Sequence, residues 1–179
     1  MISQSSSIDN IQTSFDSNYL LKLQNIYFAE NYCYKRLPGL VKKISHNELW
    51  LLLDNHLYTV KVRKGRLENI FSDIKMAASG TSCVTFKSLI GKAGNIIYQS
   101  KFKEDNSISE LISALLEISI YRSYIYNTLL QSIDPFEKSH NSAAIKNCLI
   151  EEDDFFHSLL RIKKYFFTNE VNTTNSLSA

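Results

Sequence analysis

Four residues in this chain combine groups that can do chemistry with positions that should be buried: Glu30, His56, Arg122 and Glu152. Each stands at the centre of the apolar face of a long amphipathic segment when residues are placed about 100° apart around a helix. Two carboxylates, an imidazole and a guanidinium would then share one layer of a helical bundle. Carboxylate and imidazole groups can bind iron or manganese, whereas a carboxylate beside a guanidinium forms an ion pair.

The buried charges must be compensated by a metal ion, by one another or by a change of protonation state, because an unpaired charge in a protein interior costs on the order of several kcal/mol. In the first case, Glu30, His56 and Glu152 bind a metal ion. In the second case, Arg122 neutralises the two acids, and the histidine is hydrogen-bonded to one of them. We favour the second, because a central guanidinium supplies the positive charge of a metal and would repel a cation.

Long amphipathic helices must carry these four residues. The connection at residues 45–47 is short, so the first two helices should be antiparallel neighbours. About 30 residues separate the second long helix from the third, which is enough to cross the bundle and make these two helices parallel. The sequence therefore predicts an all-α four-helix bundle with a long crossover that carries a short extra helix. The predicted helices cover residues 17–44, 48–76, 84–99, 107–133 and 142–167.

Composition favours this helical fold and a single domain. The chain has 179 residues, 44% of them hydrophobic, and only five Gly and two Pro to form turns. The bundle domain is predicted over residues 15–167. Ser, Asn and Thr are abundant in residues 1–14 and 168–179, which we expect to be disordered tails.

Charge and hydropathy limit the partners that we expect. The formal net charge is +2, from 20 basic and 18 acidic residues, and this balance predicts no nucleic acid partner. The basic groups Lys61–Lys64 and Arg161–Lys164 are interpreted as solvated helix faces. No apolar run approaches the ~20 residues of a membrane span, and residues 1–12 lack the pattern of an export signal. We therefore expect a cytoplasmic protein without a membrane partner.

The segment Leu23–Glu30, which reads LQNIYFAE and is followed by Leu37-Pro38, resembles the first helix of a known family. Members of the YciE/YciF-like branch of the ferritin-like superfamily read approximately L-Q-D-I-Y-x-A-E and then A-L-P at that place. The resemblance spans residues 15–167, and it implies a ferritin-like four-helix bundle, a link to bacterial stress responses and a tendency to form dimers. It continues at His56-Leu57, Arg66-Leu67-Glu68, Phe71, Leu89-Ile90-Gly91, Tyr126-Asn127-Thr128-Leu129 and Glu151-Glu152-Asp153.

Ferritin-like proteins hold two metal ions with carboxylates from several helices and two histidines, and this chain departs from that ligand set. In the family a Glu follows the second-helix histidine by three residues, where this chain has Thr59. The family acids that precede the third-helix tyrosine by four and seven residues are replaced here by Arg122 and Ser119. The resemblance therefore implies a degenerate di-metal centre. Three metal-ligand candidates remain: Glu30, His56 and Glu152.

These observations together predict a non-catalytic, stress-associated protein without a cofactor. Its structural polar network would consist of Glu30, His56, Arg122 and Glu152. The alternative is an iron- or manganese-binding oxidoreductase that uses the two acids and the histidine as a reduced metal site. A homodimer is expected from the resemblance and from Phe28 and Tyr124, two aromatic residues that lie about 160° from the core centres of their helices.

Overall fold

The computed structural model describes residues 17–99, 105–133 and 140–176, and within these residues it contains five helices and no strand. The prediction of an all-α protein is therefore confirmed. The predicted tail at residues 1–14 lies outside the described residues. The helices are α1 Ser17–Val41, α2 Asn47–Asp73, α3 Val84–Tyr98, α4 Asp105–Gln131 and α5 His140–Ser176.

The second helix, α2, ends at Asp73 rather than at the predicted Met76. Lys75 takes a left-handed backbone conformation with φ 57°, which turns the chain out of the helix. The N–H of Met76 then donates to the carbonyl of Phe71 at 2.9 Å, and this bond closes the helix end in a Schellman-type turn.

The last helix, α5, continues past its predicted end at Phe167 to Ser176. Residues 168–176 contain neither Pro nor Gly, so nothing in their sequence stops a helix that has already formed. The predicted C-terminal boundary is therefore too early, and residues 177–179 lie outside the described part of the chain.

The four long helices form a closed square in which α1, α2, α5 and α4 contact one another in that order. Neighbours are antiparallel: Tyr27 of α1 bonds Glu68 of α2, whereas Glu30, further along α1, lies beside Arg63, which is earlier in α2. The helices α2 and α4 therefore lie on a diagonal and run parallel, as the predicted crossover requires. The short helix α3 belongs to that crossover and packs against α1 and α4.

The loop between α2 and α3 packs onto the outer side of α1. Gly80 lies so close to α1 that an added Cβ would be 2.8 Å from the Cβ of Phe28. Thr81 of the same loop donates a hydrogen bond to Gln24 at 3.2 Å. Phe28, which we expected to be exposed, is therefore half-buried, whereas Tyr124 is exposed as predicted.

The apolar stripes of the long helices meet at the centre of the square, where burial of each large side chain contributes roughly 1.5–3 kcal/mol. These stripes surround the polar layer and fix its depth. None of the described helices is both long enough and apolar enough to span a membrane. The most deeply buried large apolar side chains are Leu23, Ile26, Leu49, Leu67, Ile70, Phe71, Phe86, Leu111, Ile112 and Tyr126.

Candidate functional site

The four residues singled out from the sequence lie together inside the bundle. Glu30 and Glu152 are fully buried, Arg122 is 1% exposed and His56 is 5% exposed. Each comes from a different long helix. They meet inside the bundle because each occupies the centre of its helix's apolar stripe. The structure thus places two acids, an imidazole and a guanidinium in one water-excluded layer.

A fifth residue, the charged Arg63 of α2, completes the layer and was not predicted from the sequence. The prediction that Lys61–Lys64 forms a solvated face is wrong for this residue, because Arg63 is fully buried. The spacing between Arg63 and His56 indicates this burial. Arg63 follows His56 by seven residues, so it lies two turns further along α2 and only about 20° away around the helix.

Glu152 is the centre of the network, because both arginines bind it. The Nη1 atom of Arg63 and the Nη2 atom of Arg122 donate to the same oxygen, Oε2. Ser119 donates to the other oxygen, Oε1, at 2.6 Å. Burial by itself would raise the pKa of Glu152, but Arg122, Arg63 and the Ser119 hydroxyl hold this pKa below its usual value. Glu152 is therefore an ionised carboxylate with both oxygens occupied.

Glu30 is held by a phenol and lies next to both guanidiniums. Tyr126 donates its hydroxyl to Glu30 Oε1 at 2.9 Å. The same oxygen is 3.7 Å from Arg63 Nη1 and 3.8 Å from Arg122 Nε, which is ion-pair distance. Burial, followed by the charge of Glu30, raises the pKa of Tyr126 well above its usual value. The phenol therefore stays protonated and acts as a hydrogen-bond donor.

His56 is hydrogen-bonded to arginine rather than to a carboxylate. Its Nε2 atom is 2.9 Å from Arg122 Nη2, and its Nδ1 atom is 3.4 Å from Arg63 Nη2. A guanidinium can only donate, so the nitrogen at the shorter distance, Nε2, is the acceptor and the imidazole is neutral. Burial, then Arg122 and Arg63, lower the pKa of His56 well below its usual value. The expected hydrogen bond between His56 and one of the acids is therefore wrong.

The imidazole is also fixed by stacking, and the arginine that it accepts from has a thiol as a further neighbour. The ring of His56 stacks on Phe155 with centroids 3.5 Å apart and planes at 13°. Arg122 Nη1 lies 3.5 Å from the sulfur of Cys33, which is buried. Burial raises the pKa of Cys33 to about 12, so this thiol stays protonated at neutral pH.

The charges of the layer cancel. Glu30 and Glu152 carry one negative charge each, Arg63 and Arg122 one positive charge each, and His56 is neutral. A buried ion pair is tolerated when its charges are balanced and hydrogen-bonded, and here the balance is reached within the protein. No further cation is needed to neutralise the two acids.

The residues of the layer do not fit a di-metal centre. Metal ligands must offer free lone pairs, but both oxygens of Glu152 and the Nε2 atom of His56 already accept hydrogen bonds. Two guanidiniums stand beside these atoms and would repel a divalent cation. Within the described part of the chain, no group of three or more His, Cys, Asp or Glu side chains is placed to hold a metal ion.

Comparison with known proteins agrees with this fold. The model of a family described as a domain of unknown function, DUF892, matches residues 14–172. The Escherichia coli stress protein YciF is 20% identical, with a TM-score of 0.77 over 84% of this chain and 94% of that chain. YcfI from Rhodopseudomonas palustris is also 20% identical, with a TM-score of 0.72 over 83% of this chain and 96% of that one. No curated protein matches the chain. The chain therefore belongs to the DUF892 family and has the helical-bundle fold of YciF.

Proposed function

We propose that this protein is a non-catalytic YciF-type protein in which buried ion pairs have replaced a di-metal centre. One observation carries the proposal: the guanidiniums of Arg63 and Arg122 both bind Glu152, at the centre of the bundle. Arginine cannot lose its proton in a protein, so the two positive charges are permanent. The layer then has the charge compensation that metal ions would supply in a ferritin-like centre.

Three groups of the layer, Glu152, His56 and Cys33, are not available for acid–base or nucleophilic catalysis. A general base must be able to accept a proton near neutral pH, but Glu152 is held ionised by two arginines and His56 already accepts from Arg122. The Cys33 thiol is protonated because burial raises its pKa to about 12. We therefore interpret the network as structural: it ties α1, α2, α4 and α5 together through hydrogen bonds between fixed partners.

A stress-associated role completes the proposal. Its support is that the similar Escherichia coli protein YciF is described as a stress protein. In such a role the bundle would act as a scaffold or binding protein rather than as a catalyst.

We further propose that the chain forms a homodimer through the outer faces of α4 and α5. Tyr124 and Ile120 of α4 and Ile150 of α5 are large apolar residues on these faces, and Tyr124 is 67% exposed. Exposed apolar residues in one region often mark an interface. Sedimentation of the parent and of Tyr124→Ser should give a dimer that weakens in the variant. A monomeric parent at micromolar concentration would remove the dimer from the proposal.

Metal analysis tests the degenerate-site proposal against the alternative of an iron- or manganese-binding oxidoreductase. The purified protein would be loaded with Fe(II) or Mn(II) without oxygen, freed of excess metal, and analysed for metal per chain. We expect no stoichiometric metal in the parent protein or in Glu30→Ala. Tight, stoichiometric binding that is lost in Glu30→Ala would favour the oxidoreductase with a reduced site at Glu30, His56 and Glu152.

A further inference from the structure

Positive charge is concentrated on one side of the molecule, although the whole chain has a net charge of only +2. The segments 17–46 and 74–99 form α1, α3 and the loops next to them. They carry eight cations and a single acid, Glu30, which is buried in the polar layer. The even balance of the total composition therefore hides a local excess of positive charge.

Most of these cations are not neutralised. Lys92 pairs with Glu117 at 2.6 Å, and Lys22 donates to a backbone carbonyl of α4. The other six are exposed, and within the described residues none of them is in a salt bridge. These six define what we call the α1/α3 basic face: Lys35, Arg36, Lys42, Lys43, Lys75 and Lys87.

The α1/α3 basic face includes the seam along which two parallel helices, α1 and α3, contact each other, and we call this seam the groove. Lys87 near the start of α3 lies over the ring of Phe28, and Lys43 beyond the end of α1 lies over Tyr98 at the end of α3. Contacts thus advance together along both helices, so α1 and α3 run in the same direction. Arg36 and Lys43 mark the α1 side of the groove, and Lys87 marks the α3 side.

Aromatic rings alternate with the cations of this groove. The guanidinium of Arg36 lies 5.6 Å from the ring centroid of Tyr32, and the ammonium of Lys43 lies 4.5 Å from that of Tyr98. The side chain of Tyr98 is 63% exposed, so its ring can also meet a ligand. A positively charged groove with accessible aromatic rings is the usual means of binding single-stranded nucleic acid without sequence preference.

We propose that the α1/α3 basic face binds single-stranded nucleic acid through its phosphates, with Tyr98 stacking on a base. Phosphates repeat along a strand, and cations follow the groove over about 16 Å, the length of α3 from Lys87 near one end to Tyr98, under Lys43, at the other. A lipid surface would require a cluster of large apolar side chains projecting beside the cations, whereas Val84 and Tyr98, two exposed residues of this face, lie at opposite ends of α3. This proposal is independent of the buried layer, and it replaces the expectation drawn from net charge.

Fluorescence anisotropy with a labelled oligothymidine tests the proposal on the full-length chain. The test variant is Arg36→Glu with Lys87→Glu, one change on each side of the groove. The matched control is Lys61→Glu with Lys146→Glu. It changes the net charge by the same amount as the test variant, but on α2 and α5. Circular dichroism would verify that both variants are folded. We expect the test variant to lose at least about tenfold in affinity while the control stays close to the parent.

Salt dependence and one aromatic substitution make the test specific. If Arg36, Lys43 and Lys87 each contact one phosphate, log K should fall with log salt concentration with a slope of about −2, and the slope should shrink to about −0.7 in the test variant, which keeps only Lys43. Tyr98→Ala should weaken binding about fivefold or more, at an unchanged salt slope.

Several results would overturn the proposal. Absence of binding by the parent at low salt would do so, as would equal losses in the test variant and the matched control. Capture by vesicles that contain phosphatidylserine, without binding of the oligonucleotide, would assign the face to a lipid surface instead. Equal competition by polyglutamate would show that the face accepts any polyanion.

Discussion

Arg122→Ala removes one of the two guanidiniums that balance two buried carboxylates. Breaking a buried ion pair by removing one partner costs about 3–5 kcal/mol, because the other charge stays buried and uncompensated. Arg122 is 1% exposed and contacts Glu152, Glu30 and His56, but Arg63 still neutralises one of the two acids. We therefore expect the free energy of unfolding to fall by about 3 kcal/mol near pH 7, the lower end of that range.

Urea denaturation followed by circular dichroism measures this loss, and Arg66→Ala is the matched control. Arg66 lies on the same bundle and donates to Glu151 at 2.7 Å, but both side chains are 29% exposed. An ion pair this close to water contributes less than about 1 kcal/mol. Glu152→Gln combined with Arg122→Ala should cost less than the sum of the two single changes, because the double variant removes one charge of each sign.

The loss caused by Arg122→Ala should shrink as the pH falls. In the parent, the pKa of Glu152 lies below its usual value, so its ion pairs stabilise the fold above the unfolded-state pKa. In the variant one buried carboxyl lacks a counter-charge, and burial raises its pKa above the unfolded-state value. This carboxyl takes up a proton on mild acidification, and the penalty disappears. A variant as stable as the parent, or a loss that does not change with pH, would refute the ion-pair argument.

Further predictions concern four single positions. His56 should not titrate in an NMR experiment between about pH 8 and pH 5.5, because its pKa is lowered well below the usual value. The free energy of unfolding should then fall as the pH drops below the unfolded-state pKa of histidine. A titration of His56 near pH 6.5 would contradict the burial argument. Gly80→Ala should lower the melting temperature, because the added Cβ would lie 2.9 Å from the Cα of Phe28. A Cβ added at Gly65 would meet no atom within 4 Å, so Gly65→Ala should stabilise α2 by about 0.5–1 kcal/mol. Lys75→Gly should raise the free energy of unfolding by about 1 kcal/mol, and with it the melting temperature, because Lys75 has φ 57°. A lower melting temperature would show that this left-handed turn carries no strain.

The fold could be predicted because it depends on the period of the apolar residues. The same helical period predicts that Glu30, His56, Arg122 and Glu152 face inward, because this prediction needs only the angle between residues on one helix. Arg63 fits the period as well. It stands among Lys61, Val62 and Lys64, however, and a run of cations resembles a solvated face. Placing Arg63 by its angle from His56 would have corrected the error.

The partners within the site could not be predicted from the sequence. The angle around a helix gives the direction of a side chain. The hydrogen-bond partner of His56 depends in addition on how far neighbouring helices are shifted along each other, and a shift smaller than the rise of one residue can change that partner. The α1/α3 basic face raises a similar difficulty, because α3 follows α1 only after 42 intervening residues, 42–83, and composition cannot show that their cations lie side by side. The closing turn at Lys75 also depends on one backbone angle that a non-glycine residue rarely adopts.

The most direct test of the central claim is a crystal structure of the protein after soaking with Fe(II) or Mn(II) in the absence of oxygen, with anomalous diffraction data at the metal edge. The account predicts that the guanidiniums of Arg63 and Arg122 remain on Glu152, with no anomalous peak inside the bundle. A peak between Glu30 and Glu152, with either guanidinium displaced from the layer, would contradict the claim that ion pairs have replaced the metal centre.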